Sequence, residues 1–318
     1  MKFLRLGSSG IRLSQIIMGT WQAGKAMWSG IDDNETTRAI RTAFDSGITT
    51  FDTAEQYGNG HSERILGNAL LDKRDKVVFA TKVAPQNLYR SGVIEACNNS
   101  LKNLRTDYID VYQIHWPSGS WGSKVVPIEE TMEAFDDLKK QGKVLAVGVS
   151  NFSISQLKEA SCFGDIQSIQ PPYSLFWRHA EKEIIPYAIE KGINVLAYSP
   201  MAQGILTGRF REGHKFSKKD HRSRNKLFKR ENMKRVQAAI DKLSVVAKRK
   251  NASLGQLALS WVISHPGTCA IAGARNSDQV LQNSLATELS LSDDDLAEID
   301  QISRDVTDHL DEDPVLWA

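Results

Sequence analysis

Eight short apolar runs recur along this chain with segments of helical spacing between them, and that alternation constrains the fold more than any other feature. The runs are IIMGT, TTFDTA, VVFATK, IDVYQIH, LAVGVSN, SIQPPYS, NVLAYSP and CAIAGAR. Near-continuous apolar runs suit strands buried on both faces, as in parallel sheets. In the intervening segments apolar residues fall three or four apart, as Val236, Ile240, Leu243 and Ala247 do within 231–249, which marks one face of a helix. Parallel neighbours need a crossover, usually a helix. Eight strand–helix repeats are the count that closes a parallel (β/α)8 barrel, the TIM-barrel architecture. No linker breaks the series, so residues 1–318 are expected to form one α/β domain. The opening FLRLGSSGIRLSQI has a Gly-Ser turn between two short extended pieces. It predicts an N-terminal β-hairpin that plugs the bottom of the barrel.

In such a barrel the active site lies at the carboxyl ends of the strands. The second run ends FDTAEQY, giving Asp52 and Tyr57; the third ends FATK, giving Lys82; the fourth ends YQIH, giving His115. Taken singly, each has an ordinary explanation: a capping aspartate, a solvated lysine, a core histidine, a packing tyrosine. Taken together, consecutive strand ends deliver a carboxylate, a phenol, an amine and an imidazole to one rim. A free phenol titrates near pH 10. A nearby ammonium lowers that value, a carboxylate anchors the ammonium, and an imidazole can orient a carbonyl oxygen. The set suits proton transfer between a carbonyl and an alcohol. Tyr57 is the expected acid, Asp52 the tether of Lys82, and Gly58 and Gly60 the hinge that swings Tyr57 over the mouth.

The chain resembles the aldo-keto reductase family over nearly its whole length. The resemblance rests on MGTW (18–21), FDTAEQYGNGHSE (51–63), TK (81–82), DYIDVYQIHW (107–116), GKVLAVGVSNF (142–152), YSPMAQGILTGRF (198–210) and GARNSDQVLQN (273–283), in that order. It implies the barrel, reduction of aldehydes and ketones with NADPH, and a catalytic tetrad of Asp52, Tyr57, Lys82 and His115. No G-x-G-x-x-G follows a strand, so a Rossmann site is not expected. The resemblance instead implies a nicotinamide stacked on Tyr173, with Ser150, Asn151 and Gln170 on its carboxamide. It implies further cofactor contacts at Gly19, Thr20, Trp21, Asp52 and Tyr198, and a pyrophosphate near Ser199, Pro200, Met201, Gln203 and Gly204. The adenosine phosphate is expected at the start of the last barrel helix, near Gly273, Arg275, Gln279 and Asn283, where helix N–H groups favour anions. Many members carry Pro-Lys-Ser and a later arginine there. This chain has Ala272, Gly273, Ala274 and Gln279, which leaves Arg275 as the main cation and resembles the bacterial branch.

After NVLAYSP some thirty residues pass before the next helix. The stretch 209–235 holds twelve Lys or Arg and three acids. A connection that long is usually functional, and a lid over a polyanionic cofactor, with Arg209 and Arg224 in contact, is expected. With a whole-chain net charge of +2 and little aromatic interleaving, nucleic acid is not expected as a partner. Trp21 and Trp116, with Tyr57 and His115, are expected to line the pocket for a small-molecule carbonyl substrate, and Trp28 and Trp121 lie in adjoining loops. The tail DHLDEDPVLWA brings Leu316 and Trp317, which family likeness would fold across the pocket. No zinc spacing or other metal motif appears, and no run approaches the roughly 20 apolar residues of a membrane span. Three separated cysteines (Cys97, Cys162, Cys269) and a start without an apolar leader fit a cytoplasmic protein with reduced thiols. The rival from another class is a regulatory subunit, since potassium-channel beta subunits resemble this family. The barrel begins within the first twenty residues, so no interaction extension is expected before it. A further alternative is a polyol dehydrogenase running toward oxidation.

Overall fold

In the computed structural model each apolar run is a strand. The structure describes residues 1–26, 28, 30–217, 220–311 and 313; Leu316 and Trp317 lie outside them. Strands β1 (Phe3–Arg5) and β2 (Arg12–Ser14) form the expected antiparallel hairpin. Eight parallel strands then close a barrel: β3 (Ile16–Gly19), β4 (Thr50–Asp52), β5 (Val78–Val83), β6 (Ile109–Ile114), β7 (Val144–Ser150), β8 (Ile166–Gln170), β9 (Asn194–Tyr198) and β10 (Thr268–Gly273). Closure is made by β10, which pairs with both β9 and β3.

Six helices follow the first six barrel strands in turn: α1 (Asp33–Asp45), α2 (His61–Ala69), α3 (Arg90–Leu104), α4 (Ile128–Lys140), α5 (Ile154–Phe163) and α6 (Ile184–Lys191). Two lie between β9 and β10, α7 (Arg230–Arg249) and α8 (Leu254–Ser264), and α9 (Ser277–Ser284) and α10 (Asp293–Thr307) end the chain. The 231–249 pattern is α7, with Val236, Ile240, Leu243 and Ala247 on its buried face. Local sequence sets several helix starts. Ser153 with Gln156, Ser253 with Gln256 and Ser292 with Asp295 make reciprocal capping boxes, each satisfying two otherwise orphaned backbone donors.

The barrel interior has its own apolar cluster. Leu6 and Leu13 from the hairpin are fully buried against Ile17, Val78, Ala80, Val111, Ala146, Leu196, Cys269 and Ile271. The hairpin is therefore the plug that its position implies. Its turn is tied to the strand bases: Gly7 N donates to Asn194 Oδ1 at 2.7 Å and Ser8 N to Gln167 Oε1 at 2.8 Å. Filling the bottom this way leaves the carboxyl end as the open end. Truncating the plug should cost what a filled core site costs: Leu13→Ala is expected to lower stability by roughly 2–5 kcal/mol, read from urea unfolding. A loss under about 1 kcal/mol, the range of a surface change, would mean that the hairpin is not part of the core.

Candidate active site

At the carboxyl rim, Asp52 is the last residue of β4 and Lys82 sits near the end of β5. Lys82 is fully buried, and all three of its ammonium protons have acceptors. Its Nζ lies 2.6 Å from Asp52 Oδ1, 2.8 Å from the Thr53 carbonyl and 3.5 Å from Tyr57 Oη. The other Asp52 oxygen, Oδ2, accepts from Gln170 Nε2 at 2.9 Å and from Gln113 Nε2 at 3.4 Å. His115 follows β6, and its ring meets Tyr57 edge-on, with centroids 5.5 Å apart. The four residues read from three strand ends thus converge.

The electrostatics differ from the sequence expectation in one respect. The Tyr57 phenol is pushed well above its ordinary range, first by burial, then by the Asp52 charge and Tyr198. Lys82 does not bring it down. The phenol keeps its proton, as a donor must. Burial lowers the Lys82 pKa while Asp52 opposes the shift. His115 is held well below the usual imidazole range by burial and then by Lys82, so it is neutral near pH 7 with one N–H to give.

The loop carrying Tyr57 is braced by hydrogen bonds to the loop after β5. Glu55 accepts from the Ala84 amide at 2.6 Å and from Asn87 Nδ2 at 3.0 Å. Gly58 has φ +65°, and a Cβ there would stand 2.4 Å from the Gly24 carbonyl oxygen. The glycine is needed for its positive φ and for close approach of the 21–24 turn.

Asp52, Tyr57 and His115 line the floor of a cavity of about 1330 Å3. All the residues nominated from sequence line it except Thr20, Lys82 and Tyr173. Lys82 lies beneath Tyr57 as described. Thr20 Oγ1 points back to the Asp52 carbonyl at 3.0 Å and pairs with Ser62 Oγ at 2.8 Å, so it ties β3 to β4. The placement of Tyr173 under a nicotinamide is corrected. Its ring is in the core, 5.2 Å from that of Trp261, and its hydroxyl donates to Glu181 at 2.7 Å. Pro171 and Pro172 have ended the strand before it. Tyr198, at the end of the next strand, does lie on the cavity wall, and its hydroxyl donates to Asn151 Oδ1 at 2.8 Å.

The long connection runs from Ser199 to Lys229 through short 3₁₀ turns. Phe210, Phe216 and Phe228 pack edge-on or tilted against one another and join it to the main hydrophobic core. Arg222, which sequence did not single out, packs on Phe216 and is paired with Asp220 at 2.5 Å. Arg209, Arg224 and Arg275 line the cavity with no carboxylate at ion-pair distance among the described residues. Trp28 lies between the Arg222 and Arg275 guanidinia, 5.2 and 5.3 Å from its ring. Among the described residues there is no metal-binding cluster, and no helix is long and apolar enough to cross a membrane.

Residues 15–304 match the Aldo/keto reductase family. The chain is similar to "Aldo-keto reductase YhdN" of Bacillus subtilis, 39% identical over 95% of this chain and 93% of that protein. It is similar to the "NADH-specific methylglyoxal reductase" of Escherichia coli, 33% identical over 93% of this chain and 96% of that one. Among solved structures it resembles the glycerol dehydrogenase AKR11B4 from Gluconobacter oxydans, with TM-score 0.89 and 34% identity over 99% of both chains. It also resembles an aldo/keto reductase from Klebsiella pneumoniae in complex with NADP and acetate, with TM-score 0.77 and 31% identity over 95% of both.

The neutral imidazole carries a stability signature. Its folded pKa is depressed, so its contribution is present above the unfolded value, near 6.5, and lost as pH falls below it. The stability advantage of the wild type over His115→Gln should shrink by roughly 1 kcal/mol per pH unit below about pH 6. Urea unfolding at pH 5, 6 and 7 measures this; a constant gap would mean that His115 takes up its proton in the folded protein.

Proposed function

The chain belongs to the aldo/keto reductase family, and on that premise we propose that it reduces aldehydes and ketones to alcohols, with NADPH as reductant and Tyr57 as general acid. The observation that carries this is the convergence of Asp52, Tyr57 and His115 on the floor of one large cavity, with Lys82 buried behind them against Asp52 and Tyr57.

The wall of that cavity fits a dinucleotide. Its volume of about 1330 Å3 exceeds the roughly 300–1,000 Å3 of an ordinary small-ligand pocket. Gln22 Oε1 and Gln203 Nε2, both on the wall, are buried without a partner among the described residues. Arg209, Arg224 and Arg275, with no carboxylate at ion-pair distance among the described residues, suit phosphates. Tyr198 is the surface on which a nicotinamide would rest, with Ser150, Asn151 and Gln170 at its edge. Ser199, Pro200, Met201, Gln203 and Gly204 would meet the pyrophosphate. When bound, NADPH supplies a hydride to the carbonyl carbon.

The protein's own groups do the rest. His115 donates its one N–H to the carbonyl oxygen and orients it. Tyr57 gives its proton to the same oxygen. Lys82, 3.5 Å from the phenol oxygen, stabilises the negative charge left there. Asp52 and the Thr53 carbonyl hold Lys82 in place. The same groups serve polyol oxidation in reverse, with Tyr57 as base. Tyr57→Phe should reduce carbonyl turnover by about a hundred- to ten-thousand-fold with cofactor affinity retained. Retention of a large share of turnover in an NADPH-consumption assay would take the acid role from Tyr57.

Preference for NADPH over NADH rests on groups that meet the extra phosphate. Gln279 has its Oε1 engaged by the Arg275 amide at 2.9 Å. That leaves the half-buried Arg275 guanidinium and the first N–H groups of α9. A hydrogen bond to a charged group is worth roughly 1.5–3 kcal/mol. Arg275→Ala should therefore weaken NADPH binding by about ten- to a hundredfold and leave NADH nearly unchanged, as read by tryptophan fluorescence quenching. Equal losses for both would place Arg275 on a part of the cofactor they share.

A further inference from the structure

We propose that Gln113, a fully buried amide inside the barrel, is a positioning residue that holds the Asp52 carboxylate in its working state. The proposal rests on the reductase reading above, but half of its test does not.

The sequence around Gln113, DVYQIH, reads as apolar strand, and an aliphatic side chain would pack there. A glutamine buried in a barrel core must satisfy both ends of its amide. Both ends are in fact used, and their order is forced. A carboxylate only accepts, so both amides facing Asp52 Oδ2 present nitrogen to it: Gln170 Nε2 at 2.9 Å and Gln113 Nε2 at 3.4 Å. Gln113 then turns its Oε1 to Gln170 Nε2, 3.3 Å away. The two protons of Gln170 Nε2 are thereby committed, and its Oε1 is left for the cavity.

The fold makes room for this. Lys82 is in register with Gln113, and Gln113 with Gly148. A Cβ at Gly148 would stand 3.0 Å from Gln113 Cγ and 2.3 Å from Ser168 Oγ. Gly148 thus opens the path along which the Gln113 side chain crosses the barrel to Asp52. Asp52 meets Lys82 on one oxygen and two amide donors on the other. Those donors stabilise its charge and moderate its field at Tyr57.

The first arm uses the protein without ligand. Gln113→Glu replaces the donor with a carboxyl beside Asp52. Protonated, it donates as the amide did; ionised, it repels. Burial and Asp52 raise its folded pKa, so its stability contribution is present below the unfolded value, near 4.3, and lost as pH rises through the folded one. The unfolding midpoint of Gln113→Glu should fall progressively further below that of wild type from pH 5 to pH 8, while Gln113→Met shows a gap independent of pH. The second arm is kinetic. Gln113→Met, and Gly148→Ala by displacing the same side chain, should each lower kcat by about tenfold, with little change in KM or NADPH affinity. If the wild type reduces no carbonyl, the reductase reading fails and the first arm still decides. A pH-independent gap for Gln113→Glu overturns the proposal. So does a wild-type kcat in both Gln113→Met and Gly148→Ala.

Discussion

A lysine ammonium with no exposure to solvent is the interaction on which the rest of this structure turns. Burying an isolated charge of this kind costs several kcal/mol even after relaxation, and that cost falls only if the protons are fully paired. Asp52, the Thr53 carbonyl and the Tyr57 hydroxyl supply the acceptors. They come from the end of β4 and the loop after it, while Lys82 comes from β5. Such a meeting requires adjacent parallel strands ending at one level. The register delivers it: Asp52 stands beside Ala80, and Lys82, two residues on, points to the same interior. Breaking the barrel would strand the charge, so closure of the sheet and assembly of the site are one event.

The same burial sets the protonation states. Desolvation works in opposite senses on acids and bases, raising Tyr57 and lowering His115. Both are neutral as a result, and both can donate to an oxygen held above them. The expectation that Lys82 would make the phenol more acidic overlooked this. Distance is the reason: at 3.5 Å the ammonium is a long partner of the phenol, whereas it meets Asp52 at 2.6 Å. Its charge is largely spent on the carboxylate, whose own field at Tyr57 acts the other way.

What was legible in the sequence was what periodicity and strand ends encode. The eight runs, the plug hairpin, α7 and the four converging residues are local patterns or their direct consequence. Pairings over long separations were not legible. Tyr173 and Tyr198 both follow apolar runs, and choosing between them requires knowing where each strand stops. The regular strand before Tyr173 ends at Gln170, since Pro171 and Pro172 have no N–H to give; the Tyr173 amide still meets the Tyr198 carbonyl at 3.1 Å, but its ring turns into the core. Tyr198 is itself the last residue of β9. In the basic loop, charge could be counted but its neutralisation could not. Asp220 pairs with Arg222, and Lys226 is buried against Asp311 and Asp313 some 85 residues away. Gln113 gave no signal at all, because a glutamine between apolar residues looks like noise until its register is known.

The left-handed backbone positions follow the same division between frame and site. Asn151, Ser199, Ala202 and Gln203 all have φ between 47° and 60°, and all lie just past the carboxyl ends of β7 and β9. Each non-glycine residue held there costs of order 1–2 kcal/mol. Ala202 has no side-chain polar group to offset the cost locally. Such residues persist only where the surrounding structure over-determines them. Here that structure is the barrel: Asn151 N is bound to the Gln170 carbonyl and its side chain to the His115 carbonyl, and Tyr198 N to the Pro171 carbonyl. The strain falls on the segment that lines the cavity beside Tyr198, and the turn it produces brings Gln203 onto the wall with its Nε2 unpartnered among the described residues. A rigid frame can carry bent backbone at its open end because its plugged end and closed sheet do not depend on that backbone. The departures from ideal geometry thus fall on the same wall as Arg209, Arg224 and Arg275, which have no carboxylate at ion-pair distance among the described residues.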